Sequence, residues 1–271
     1  MDLYARCING FKLANTSFSL AWKYKPLFIY TAITTLVTLG TISIALIMQG
    51  QFELGHLLTT FQVGVRHLST NTLLRFFVTA FVLLIDFLLT VSLIYHFLKL
   101  TRHQKTTAQE NIQAGISKIT TIAVFALLSA TMWLVWMYVP SSVQEAPDIK
   151  LWFIETTILL AWNMIMILVL PIIAFESIGF LDILARALSI IVHLLPEFVI
   201  GGIWLLIVYA ALGILFDAPV ILAAKLVSPD ITSSSILPAF ALLLTGILTV
   251  YMQSVGAIYS TLIYQLYKQQ Q

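Results

Sequence analysis

An all-α, multi-pass membrane bundle is the fold class this sequence predicts, on three observations. Hydrophobic residues make up 60% of the 271-residue chain and charged residues 10%, with a mean hydropathy of +0.97. Ordinary soluble domains carry roughly 45–50% apolar and about 25% charged residues. The apolar residues gather into six runs, each near the roughly 20 residues that a helix needs to cross about 30 Å of hydrocarbon. No segment alternates with period two, as the strands of a membrane barrel would. Helices are the expected element because hydrocarbon offers backbone N–H and C=O groups no outside partner.

The chain opens with a mixed segment whose Lys12, Asn15, Ser19 and Lys23 recur at spacings of three and four. This narrow polar stripe predicts a helix over about 10–25 lying along the membrane surface. The segment does not read as a cleaved signal peptide, and the run that follows is expected to act as an uncleaved anchor. The six spans are expected at Leu27–Met48, Leu73–Leu98, Ile119–Val139, Leu151–Phe175, Phe198–Phe216 and Leu237–Tyr264. Two further interfacial helices are expected, over 106–117 and 179–195. In the last of these Asp182, Arg186, Ser189 and His193 repeat the stripe, with Asp182 and Arg186 at pairing distance on a helix. Three units of interfacial helix plus helical hairpin result, and the whole chain reads as one integral membrane domain. The segment Asp217–Ile236 is left open between a loop and a short helix.

Lysine and arginine fall mainly on one side. Arg6, Lys12, Lys23, Lys25, Lys99, Arg102, Lys105, Lys118, Arg186 and Lys268 share it, against Arg66, Arg75, Lys150 and Lys225. The positive-inside rule then places both termini in the cytoplasm, in a cell (inner) membrane. Trp22, Trp133, Trp136, Tyr138 and Trp152 stand near span ends, as interfacial anchors do.

The arrangement resembles an uncharacterised family of prokaryotic six-helix integral membrane proteins, a domain of unknown function. The resemblance rests on Gly10, Ser17 and Lys25 before the first span; Trp162, Pro171, Glu176 and Gly179 around the fourth; and Glu197 with Gly201 opening the fifth. The sequence departs from that pattern at Thr90, where an asparagine is common, and at Ala187, where a serine is common. The resemblance implies a fold and a topology, and no activity.

Polar groups at membrane depth are costly, about 2.5–3.5 kcal/mol for a charged residue on insertion scales, so they are the natural site candidates. Asp86 lies roughly 18–20 Å from either end of its span at 1.5 Å per residue, and Asn163 and Gln253 reach similar depth. These three are expected to face a common interior, either as interhelical glue or as a conduction or binding site. Pro171 is expected to kink or hinge the fourth span, with Glu176 a charge at its cytoplasmic boundary. Glu176 and Glu197 read as exposed boundary charges within pairing reach of Arg186 or of lysines at that surface, and His96 and His193 as surface groups. Gly201, Gly202, Gly213, Gly246 and Gly256 are expected to allow close helix approach.

Zinc-protease, nucleophile-elbow, phosphate-loop and dinucleotide motifs are all missing from the sequence. The single cysteine, Cys7, rules out an intramolecular disulfide and a thiolate cluster. A net charge of +2 provides no field for nucleic acid. The leading expectation is a non-enzymatic scaffold or accessory protein that binds membrane lipids and a protein partner or a second copy of itself, without a cofactor. A small transporter or channel using the mid-membrane residues is the alternative, and an intramembrane enzyme comes third.

Overall fold

The computed structural model describes residues 3–48, 72–138, 149–226 and 236–271. Expectations resting on His56, Arg66 and His67, and on the side chains of Trp136, Tyr138, Lys150, Trp152, Glu155 and Lys225, fall outside what it describes. The described residues are helical, with no strand among them. In chain order they form α1 (Leu3–Lys23), a short 3-10 turn (Lys25–Leu27), α2 (Phe28–Met48), α3 (Thr72–Thr101), α4 (Ala108–Ile116), α5 (Ile119–Tyr138), α6 (Ile149–Phe175), α7 (Phe180–Leu226) and α8 (Ile236–Gln270).

Four stretches are long and apolar enough to cross a membrane: Lys25–Ile47, Thr72–Thr101, Phe180–Leu215 and Leu243–Gln270. A fifth appears if α4 and the Ile119–Val135 part of α5, bent by 71°, count as one broken span. Ala161–Phe175 is a shorter apolar helix. The outer surface carries the same message as the composition. Leu36, Phe77, Leu206 and Ile214 are each more than 60% exposed, on helices whose other faces are packed. So much large apolar surface is stable facing lipid and unstable facing water.

Helix boundaries differ from the expected ones for local physical reasons. The first helix starts earlier, at Leu3, and its packing face is a stripe of small residues rather than the complement of its polar stripe. Gly10, Ala14, Ser17 and Ala21 are buried at spacings of four, three and four, while Phe11 and Trp22 stay exposed. The stripe packs α1 on α7 and α8. At Gly10 a Cβ would lie 2.9 Å from the Glu197 Cα, so only glycine allows the two backbones to meet there. The second preceding helix, α4, is short and capped by Thr107, whose hydroxyl accepts from the Glu110 N–H at 3.3 Å. Before it, α3 ends on His103 in the left-handed conformation (φ 55°), with Gln104 N–H bonding back to the Lys99 carbonyl at 2.9 Å.

The third expected helix is not separate from its span. It is the first part of α7, set off by non-helical dihedrals at Leu194 (φ −114°, ψ 23°), two residues before Pro196. Proline cannot donate to the preceding turn, and its ring clashes with the carbonyl four residues back, at Val192, which bends the helix there. At Pro171, where a kink or hinge is expected, α6 continues as a helix to Phe175. Downstream, α7 continues to Leu226, which makes the first half of the open segment Asp217–Ile236 helical.

Inside hydrocarbon, helices associate through close packing and interhelical hydrogen bonds rather than through escape from water. The main core joins α3, α5, α6, α7 and α8 around Ile94, Phe125, Ile172, Ile190 and Tyr264. A second core gathers α1, α2, α3 and α8 around Ala21, Tyr30, Leu93 and Ile258. Among the expected close-approach glycines, Gly201 fits tightly: a Cβ there would lie 2.7 Å from the Tyr259 ring. Gly202 and Gly256 have open space beside them and mediate no such contact.

Candidate functional site

Asp86 and Asn163 come together. Both line one cavity of about 480 Å³ with Ser129, Trp133, Trp162 and Met166. It sits between α3, α5 and α6, and the exposure of Asn163 and Ile167 opens it to the outside of the bundle. The Trp162 indole donates to the Ser129 hydroxyl at 3.3 Å and fixes one wall. Asp86 makes no hydrogen bond or ion pair to any described residue, so its carboxyl is left facing the cavity.

Gln253 does not join them. It does not line that cavity, and its Oε1 is buried with no hydrogen-bond partner among the described residues. The neighbouring Ser254 shows where this part of α8 packs: its hydroxyl and that of Thr31 on α2 are 2.9 Å apart. The expected three-residue interior is therefore two residues on one cavity, with the third on another helix face.

The densest polar chemistry lies at the other end of the spans, where sequence reading expected exposed charges. Glu197, just past the α7 bend, is fully buried. Arg6 grips it with two bonds, Nε to Oε1 at 2.8 Å and Nη2 to Oε2 at 2.9 Å, and also donates to the His193 carbonyl. Hydrogen bonding to Glu197 raises the Arg6 pKa above its ordinary value. The Tyr259 hydroxyl lies 3.0 Å from both the Glu197 and the Phe198 carbonyl oxygens, which ties α8 to the first turn after the bend. These contacts fasten α1, α7 and α8 at a single point.

Glu176 is a second fastening. Its Oε1 accepts from Lys268 Nζ at 2.8 Å and from the Tyr264 hydroxyl, while Arg186 Nε approaches Oε2 at 3.7 Å. Burial favours its neutral form, but the hydrogen bonds from Lys268 and Tyr264 and the charges of Lys268 and Arg186 outweigh that and lower its pKa. Lys118 reaches the same turn, 2.5 Å from the Ser177 hydroxyl. Pairing of Glu176 with Arg186 and a lysine follows the expectation; its burial, with the side chain 11% exposed, does not.

No family model matches this chain, and no curated protein or solved structure matches it. Its site must be judged on geometry alone.

His96 is the third departure. It is buried, with Nδ1 3.0 Å from the Tyr30 hydroxyl and the two rings edge to face. His193 stays exposed as expected. Nearby, buried Asn111 donates to the Thr107 carbonyl at 2.7 Å and to the Thr106 hydroxyl at 3.1 Å, tying the start of α4 to itself. Among the described residues no three His, Cys, Asp or Glu side chains stand close enough to hold a metal ion. Sequence reasoning missed Arg6, His96, Tyr259 and Tyr264 as structural partners. The signal available was a polar residue flanked by apolar ones near a span end, and it does not name the partner.

Proposed function

We propose that the protein is a non-enzymatic integral membrane scaffold with six spans and both termini in the cytoplasm. Its three preceding helices lie along the cytoplasmic surface and present a platform for lipid and for a protein partner or a second copy of the chain. In this reading α5 and α6 complete the six spans, and the chain is three units of surface helix plus hairpin. The carrying observation is the Arg6–Glu197 pair. It locks α1 onto the α7 bend with a buried charge-assisted clamp, so the platform is part of the fold rather than a loose terminal arm. Lys12, Lys23 and Lys25 stay exposed on that platform. No cofactor is required. Native mass spectrometry of the protein, gently extracted from its own membranes, tests the reading. A reproducible homo-oligomer or protein partner is expected; a solitary chain carrying a small molecule contradicts it.

The Asp86 cavity favours a second reading, a small transporter or channel for protons or cations. A carboxyl without a partner, facing a cavity beside Asn163, is what such a path needs at that depth. In reconstituted vesicles Asp86→Asn then abolishes flux while the protein still folds. Unchanged flux removes this reading.

A further inference from the structure

A second cavity has no role in either reading. It is an apolar groove of about 810 Å³ between α2 and α8, with Leu212 of α7 at its edge. Its walls are almost wholly hydrocarbon, and Leu36, Leu243 and Ile247 are each about 59–68% exposed, so it opens sideways to whatever surrounds the bundle. Along α2 it runs from Phe28 to Leu39, roughly 16 Å at 1.5 Å per residue, close to the ~15 Å of one leaflet in a hydrocarbon core of about 30 Å. One end of the groove is marked by Trp22, an interfacial residue by type and 65% exposed.

That end is cationic. The Lys25 ammonium stands 5.5 Å from the centroid of the Trp22 ring, and the Lys23 ammonium 5.3 Å from that of Tyr24. Both lysines are exposed, and neither makes an ion pair among the described residues. From Leu3 to Ile85 the described residues include no Asp or Glu. The groove therefore joins a leaflet-deep apolar slot to a cation at its interfacial mouth, Lys25 on Trp22, with a second exposed lysine, Lys23, two residues before it.

We propose that this groove holds one anionic phospholipid, with an acyl chain between α2 and α8 and its phosphate at Lys23 and Lys25. The proposal rests on the membrane placement above and names the lipid that the scaffold reading leaves open. A zwitterionic lipid fits the slot equally well but gains nothing from two lysines. An anionic headgroup gains on the order of fivefold per lysine near the surface.

Delipidated full-length protein in detergent, titrated with phosphatidylglycerol or phosphatidylcholine and read by native mass spectrometry, tests this. The wild type is expected to prefer phosphatidylglycerol by about tenfold or more, as two such lysines imply. K23Q/K25Q reduces the preference to less than about twofold, and K12Q, in the same N-terminal segment but away from the groove, keeps it. Ala32→Trp fills the slot from the α2 wall and weakens binding of both lipids. Thermal midpoints matching the wild type establish that each variant is folded. Equal binding of the two lipids by the wild type, or a preference surviving K23Q/K25Q, overturns the proposal. Unchanged binding in Ala32→Trp overturns the groove assignment. Subunit stoichiometry in the same spectra reports separately on the scaffold reading, which stands or falls without the lipid result.

Discussion

A fully buried carboxylate is tolerable only while its cation is present. Glu197 keeps both oxygens on Arg6, so removing the guanidinium leaves a buried charge without its partner. Arg6→Ala is expected to destabilise the protein by about 3 kcal/mol, and Arg6→Lys by less, since an ammonium keeps the charge but cannot satisfy both oxygens. Thermal unfolding in detergent of the two variants beside the wild type measures this, and equal midpoints for all three refute it. Glu176 makes a pH prediction. Its folded pKa is lowered, so its contribution is complete above the ordinary carboxylate value of about 4.3 and is lost as pH falls through the depressed value. The melting midpoint should fall from about pH 5 downward, and Glu176→Gln should flatten that slope; an equal slope in the variant rules it out. Arg6 as the partner of Glu197 could not be read from the sequence, and for Glu176 the sequence offers Arg186 or a lysine without singling out Lys268. A charge near a span end has several partners within reach on paper, and only the α7 bend and the return of α8 select Arg6 for one and Lys268 for the other.

At the scale of helices, legibility follows what the bilayer dictates. Spans are forced by length and hydrocarbon content, and the runs around Leu27–Met48 and Leu73–Leu98 are readable for that reason. Bends are set by packing, which a run of apolar letters hides. Pro171 and Pro196 look alike in sequence, yet the departure from helical dihedrals falls before Pro196, where Arg6 holds the His193 carbonyl. Likewise the polar stripe of α1 is legible, but its docking face is not, because glycine, alanine and serine carry little amphipathic signal. The α3–α4 connection provides a test at this scale. His103 holds a left-handed conformation that costs an L residue roughly 1–2 kcal/mol and costs glycine nothing sterically. His103→Gly should therefore raise stability by about 0.5–1 kcal/mol in the same melting assay, the gain being reduced by the greater freedom of glycine in the unfolded chain. A lower midpoint would mean that the imidazole makes a compensating contact.

The whole molecule is a bundle whose outside is apolar and whose polar clamps concentrate at Arg6–Glu197, Glu176–Lys268 and Tyr30–His96. In the scaffold reading these clamps lie at one level, near the cytoplasmic face, and hold the surface helices to the spans. The mid-membrane site is half legible. Depth counted in residues finds Asp86, Asn163 and Gln253, but the rotation of each helix about its axis decides which of them share a cavity. Cysteine accessibility reads out whether six spans cross the membrane with both termini on the cytoplasmic side. With Cys7 replaced by serine, single cysteines are placed at Gln62, Ser142 and Ser228, and at Gln104, Ser177 and Gln271. Each is probed with a membrane-impermeant maleimide in sealed vesicles of known orientation. The account predicts that the first three label from the outer side alone and the last three from the cytoplasmic side alone. Labelling of any member of one set from the side assigned to the other contradicts it.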